Sequence, residues 1–148
     1  MLRVLTYHRV ADVGNTPWLN PRLISATPAV FDRQMRHLAD RYDVVSMEEV
    51  LDAVKKRIPL PRRAVLLTFD DAYCDFGEAA WPILKRHRLP ATLFVPTAYP
   101  DQPERRFWWD RLCQAVTYTS RTEFRVSPLG SIHLGTPEQR RTGLRKIQ

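Results

Sequence analysis

Residues 64–71, Ala-Val-Leu-Leu-Thr-Phe-Asp-Asp, carry an apolar run straight into two adjacent carboxylates, Asp70 and Asp71. Parallel strands covered on both faces read as continuous apolar runs, not as alternating ones. The run therefore predicts a central strand over 64–69. In α/β folds, ligands and chemistry gather at the carboxyl ends of such strands. Neighbouring side chains on an extended strand point opposite ways. Asp70 and Asp71 can accordingly take separate tasks, one holding a metal and the other accepting a proton. A solvated Asp-Asp turn capping a helix is the competing reading.

Around this strand the chain alternates between strands and helices. A first strand spans about 2–7, followed by a long irregular stretch from 9 to 26 containing Gly14, Pro17, Trp18 and Pro21. Thr27-Pro28 opens a helix, with threonine as N-cap and proline at the first helical position. Phe31, Met35 and Leu38 form its apolar stripe. Tyr42–Val45 reads as a short strand. Ser46 and Glu49 make a capping box for a helix to about Lys56, with Val50, Leu51 and Val54 as its apolar face. Asp75 and Glu78 predict a capped helix to about Arg86, kinked or shortened by Pro82. Ala91–Val95 is a further strand, closed by Pro96. Strands alternating with helices predict parallel pairing, an α/β fold.

Beyond residue 98 the pattern changes. Phe107–Val116 reads as an amphipathic helix built on Trp108, Leu112 and Val116. Segments 123–126 and 131–134 flank Pro128-Leu129-Gly130 as a hairpin, and Thr136-Pro137 with Gln139 caps a last helix. The chain thus divides into an α/β part, 1–98, and a helix–hairpin–helix excursion, 99–148.

Composition excludes several classes. The net charge is +7, but residues 1–100 hold 14 basic and 11 acidic side chains and 101–148 hold 9 and 5. Nucleic-acid binding calls for a concentrated basic patch, so a basic solvated surface is expected and no nucleic-acid partner. No stretch approaches the roughly 18 apolar residues of a membrane span. Leu2–Tyr7 is too short for a signal peptide. The chain as written reads as cytoplasmic, with no membrane partner. Cys74 and Cys113 fit no ligand spacing, and Cys74 is expected to be a small buried side chain.

Tyr7-His8-Arg9, Phe31 with Gln34-Met35, Val44-Val45-Ser46, Leu67-Thr68-Phe69-Asp70-Asp71 and Pro90-Ala91-Thr92-Leu93-Phe94-Val95 together resemble the polysaccharide deacetylases. These are carbohydrate esterases with a NodB-type chitooligosaccharide deacetylase domain. Phe107-Trp108-Trp109-Asp110 is similar to a segment of one bacterial branch. The resemblance covers most of residues 1–117. It implies the amino-terminal portion of a deformed (β/α) TIM-like barrel, with 1–98 as its first βα units and 99–148 as an insertion. It also implies hydrolysis of N- or O-acetyl groups on an acetylated oligo- or polysaccharide. Asp70 would be the catalytic base and Asp71 a ligand of a divalent metal, commonly zinc. A metal polarises the acetyl carbonyl and acidifies bound water, whose proton an adjacent carboxylate then takes.

The chain departs from that pattern in three ways. Ala72 stands where the family has glycine. The four histidines, His8, His37, His87 and His133, are nowhere closer than 29 positions, so no His-x-x-x-His element is present. The later arginine, tryptophan and histidine motifs, the last a general acid, are also absent. Catalytic zinc takes three protein ligands, so the expectation is a fragment with an incomplete site and no activity of its own. Family members often act at the cell envelope.

His8, at a strand end, is a candidate for the pocket. His37 and His87 are expected on solvated helix surfaces and His133 on the hairpin surface. Trp108 is expected in the core, whereas Trp18 or Trp109 can line a glycan groove. Two other readings stay open. One is a magnesium-dependent phosphoryl-transfer protein, since paired aspartates suit a hard cation. The other is a non-catalytic glycan-binding module.

Overall fold

The computed structural model describes residues 1–12, 14, 20–102 and 104–147. Trp18 lies outside the described residues. The chain forms two compact units, one of Met1–Asn15 and Arg22–Ala98, the other of Thr16–Pro21 and Tyr99–Gln148.

The first unit contains strands β1 (Arg3–Tyr7), β2 (Arg9–Val10) and β3 (Ile24–Ala26), helix α1 (Pro28–Arg41), strand β4 (Asp43–Val45), helix α2 (Met47–Lys56), strand β5 (Ala64–Phe69), a π-helical turn (Phe76–Ala80), helix α3 (Trp81–His87) and strand β6 (Thr92–Leu93). Its main sheet is parallel throughout. β5 lies between β1 and β4 and also pairs with β6. Every residue of β5 is buried, as its unbroken apolar run requires. Phe31, Met35 and Leu38 of α1 and Ile83 and Leu84 of α3 pack with Val65, Leu67 and Phe69 in one core.

Local signals form as written. Thr27 caps α1 by accepting from the Val30 amide, and Ser46 and Glu49 complete their reciprocal capping box. Other expectations are corrected. The stretch 9–26 is not wholly irregular, because β2 and β3 pair in parallel within it. Strand 91–95 shortens to Thr92–Leu93, leaving Phe94 and Val95 exposed. Helix α2 turns Ala53 inward and leaves Leu51 and Val54 exposed, a rotation of about one position from the expected face. Asp75 makes no capping bond. The chain instead widens into the π turn, whose Trp81 amide bonds back to Phe76. That places Pro82 in the first turn of α3, just past the widened turn.

The second unit contains helix α4 (Trp108–Tyr118), the antiparallel hairpin β7 (Glu123–Val126) and β8 (Gly130–His133), and helix α5 (Pro137–Ile147). Val116, Ile132 and Leu134 form its core, with Leu112, Phe124, Val126, Leu144 and Ile147 against them. Thr136 and Gln139 exchange capping bonds at the start of α5. Arg140 of α5 donates to the carbonyls of Val116, Thr117 and Thr119 at 2.7–3.0 Å, satisfying the carboxyl end of α4. Trp108 is not core. It stands 59% exposed, because α4 buries the face carrying Asp110, Cys113 and Val116.

Candidate active site

The register of β1 on β5 builds the site. Tyr7 lies opposite Phe69, so the residues that follow, His8 and Asp70, leave the sheet side by side. The Asp70 amide donates to the Tyr7 carbonyl at 2.9 Å, carrying the ladder one residue past the strand. The His8 amide donates to the Ser25 hydroxyl at 3.0 Å, tying the start of that loop to β3. Asp71 (φ 70°) and Ala72 (φ 49°) then take the left-handed region and turn the chain away. Aspartate visits that region with less strain than most residues, whereas alanine gains nothing there. The departure from glycine at position 72 is thus a conformational burden.

His8, Asp70 and Asp71 border one open cleft of about 340 Å³, with Phe94, Val95 and Pro96 as its remaining wall. All three candidate residues therefore line the same cleft. In the sequence, Phe94 and Val95 read as the end of an apolar strand closed by Pro96 and were not assigned to the site.

Beneath the cleft sits an aromatic block. Tyr7 stacks on Phe69 at 5.3 Å and meets Phe31 edge-on at 5.1 Å; Phe76 meets Phe69 edge-on at 4.8 Å. Gln34 accepts from the Tyr7 hydroxyl at 3.1 Å. Burial pushes the Tyr7 phenol above its ordinary pKa. Motif residues Tyr7, Phe31, Gln34 and Phe69 thus brace the strand ends that present His8 and Asp70.

The second support is an ion pair that sequence reasoning missed. Arg9 Nε donates to Asp75 Oδ2 at 2.7 Å, with side chains only 10% and 12% exposed. Asp75 Oδ1 accepts from the Val10 amide at 3.2 Å. The Arg9 guanidinium also lies 4.0 Å from the centre of the Tyr73 ring. This pair joins the segment after His8 to the segment after Asp71. Its sequence signal was the charge of Arg9 beside the motif, with an aspartate available past the acid pair.

The other candidates separate from the cleft. His133 is exposed, 3.8 Å from Glu123, and His37 is exposed on α1. His87 is not solvated: its Nε2 lies 2.8 Å from Asp32 Oδ1, and Arg86 donates to the same oxygen at 3.0 Å. Cys74 is exposed rather than buried. Trp109 packs face to face on Phe107 at 4.7 Å. Among the described residues no three His, Cys, Asp or Glu side chains come together to hold a metal ion. The side chains present do not by themselves fit a zinc site. Among the described residues no helix is long and apolar enough to cross a membrane.

Comparison with known proteins follows the same residues. Residues 57–118 match the polysaccharide deacetylase family model. The poly-beta-1,6-N-acetyl-D-glucosamine N-deacetylase of Escherichia coli K12 is 30% identical over 100 residues, 67% of this chain and 14% of that protein. The Streptococcus pyogenes deacetylase PplD, solved with acetate, superimposes with a TM-score of 0.55 at 30% identity, over 78% of this chain and 50% of that one. IcaB from Ammonifex degensii gives a TM-score of 0.58 at 29% identity, over 75% and 46%. The chain thus spans only part of each relative's length.

Proposed function

We propose that this chain, which belongs to the polysaccharide deacetylase family, supplies the acid-pair half of a site for hydrolytic deacetylation of N- or O-acetylated polysaccharide. Asp70 is the base. It takes the proton of a water as that water's oxygen bonds to the acetyl carbonyl carbon. Collapse of the adduct breaks the C–N or C–O bond and forms acetate. The departing sugar nitrogen or oxygen takes its proton from a general acid. Asp71 is one ligand of a divalent metal, zinc by family resemblance, and His8 lines the pocket. The metal supplies carbonyl polarisation when bound.

The observation that carries this reading is the shared cleft of His8, Asp70 and Asp71 at the adjacent ends of β1 and β5. In this reading residues 1–98 are the first βα units of a deformed (β/α) barrel, 99–148 an inserted segment, and the isolated chain inactive. Acetate release from acetylated chitooligosaccharides tests it. The 148-residue chain alone is expected to release none above background. A chimaera joining it to the carboxyl-terminal part of a homologous deacetylase is expected to release acetate, and Asp70→Asn to lower that rate about 10²- to 10⁴-fold. Robust release by the chain alone, or a chimaera indifferent to Asp70→Asn, overturns the assignment.

A further inference from the structure

The second unit holds a groove lined by none of the residues assigned above to deacetylation. It measures about 800 Å³. One wall is a single face of α4, where Trp108, Arg111, Ala115 and Tyr118 recur at helical spacing. Trp108 and Tyr118 are 59% and 60% exposed there, an unusual cost for rings that large unless something covers them. The other lining residues, Tyr99, Glu104, Arg105 and Arg106, come from before the helix. Arg105 lies 4.9 Å from the centre of the Tyr99 ring, Tyr99 stacks on Phe107 at 4.2 Å, and Phe107 stacks on Trp109. Arg106 is fixed by donating to Gln114 at 2.8 Å. Three arginines, Arg105, Arg106 and Arg111, and one carboxylate, Glu104, thus line the groove.

We infer that this groove binds an acidic glycan, a sugar chain carrying carboxylates on successive units. Flat exposed rings cover the apolar C–H faces of sugars with little loss of side-chain freedom. Guanidinium forks match carboxylates bidentately, and arginines spread across a groove suit repeated charges better than a single one. The sugar chemistry comes from the polysaccharide family to which the chain belongs. Nucleic acid is the poorer fit, because three arginines neutralise few phosphates and the chain's other basic residues are dispersed. The inference needs no chemistry at Asp70, so binding without acetate release leaves it intact.

Isothermal titration of the full chain with hexagalacturonate, chitohexaose and a hexauridylate RNA tests it, with circular dichroism verifying each variant's fold. Hexagalacturonate is expected to bind at least about tenfold tighter than chitohexaose, and to weaken as salt rises. Arg111→Gln and Trp108→Ala, both at exposed positions, are each expected to weaken it about fivefold or more. Arg125→Gln, an exposed charge on β7 outside the groove, is expected to change affinity less than about twofold. No hexagalacturonate binding at millimolar concentration overturns the inference, as does equal weakening by Arg125→Gln. Tighter binding of the RNA or of neutral chitohexaose also overturns it.

Discussion

Asp75→Asn is the sharpest perturbation of the cleft's support, because it removes one charge of a nearly buried pair while keeping its shape. At 2.7 Å, and with an effective dielectric near 20, the Arg9–Asp75 attraction is about 6 kcal/mol. Desolvating both groups offsets much of that. Removing one partner also strands the other charge in the interior, so the net destabilisation should be about 3 kcal/mol. The asparagine carbonyl can still accept from the Val10 amide, now bonded at 3.2 Å, so the loss reports the charge rather than that bond. With a urea m-value of about 2 kcal/mol/M, the unfolding midpoint should fall by about 1.5 M. Arg9→Met should cost a similar amount, and the double variant less than the sum by at least about 1.5 kcal/mol. Tyr73→Leu should cost about 0.5–1 kcal/mol more in the native background than in Arg9→Met, where its ring no longer faces that cation. Urea titrations followed by far-ultraviolet circular dichroism measure all of these. Additive single variants, or an Asp75→Asn cost below about 1 kcal/mol, would mean that the pair behaves as a solvated surface contact and does not hold the two segments together.

Three further outcomes are expected. Ala72→Gly should stabilise the chain by about 0.5–1 kcal/mol in the same titration, because the φ of 49° strains alanine and not glycine. Gly143→Ala should destabilise despite its better helix propensity, since the new Cβ would lie 2.8 Å from Ile132 Cγ2 and 3.2 Å from Leu134 Cδ2; a raised thermal midpoint would refute this. The His87 hydrogen bond, with the Arg86 and His87 charges, holds the Asp32 carboxyl below its ordinary pKa. A depressed folded-state pKa gives stability that is present above the unfolded value near 4 and lost as pH falls through the folded one. Asp32→Asn should therefore lower the thermal midpoint at pH 6 and leave it little changed near pH 3.

The elements legible in the sequence were those whose causes are local. Thr27, Ser46 with Glu49, and Thr136 with Gln139 satisfy amides within three residues, and each helix starts where they stand. β5 was legible because burial on both faces leaves Thr68 as its one polar residue before Asp70. Asp75 was misread because an acid ahead of a helical segment resembles a cap, whereas its partner Arg9 lies 66 positions upstream. Trp108 and the outer face of α2 were misplaced because an apolar residue one position out of phase still fits a helical stripe. Of the site, the acid pair was visible. Its juxtaposition with His8 depends on a register between strands 62 positions apart, and its wall at Phe94–Pro96 on where a short strand stops pairing.

The π-helical turn at Phe76–Ala80 has a consequence for how the chain can evolve. A wide turn accommodates one residue more than α-helical winding over the same rise. Deleting a residue there, even exposed Gly77 whose Cβ position is open, would let ordinary helix form. If the wide winding were kept instead, the same deletion would rotate everything upstream by about 100° relative to the buried Ile83 and Leu84. Asp75 would swing off Arg9, and the acid pair would swing with it. Elsewhere on a protein surface, insertions and deletions between elements are commonly tolerated. Here a descendant that loses one residue between Asp71 and the core of α3 keeps the acid pair in place only by tightening that turn to α-helical winding.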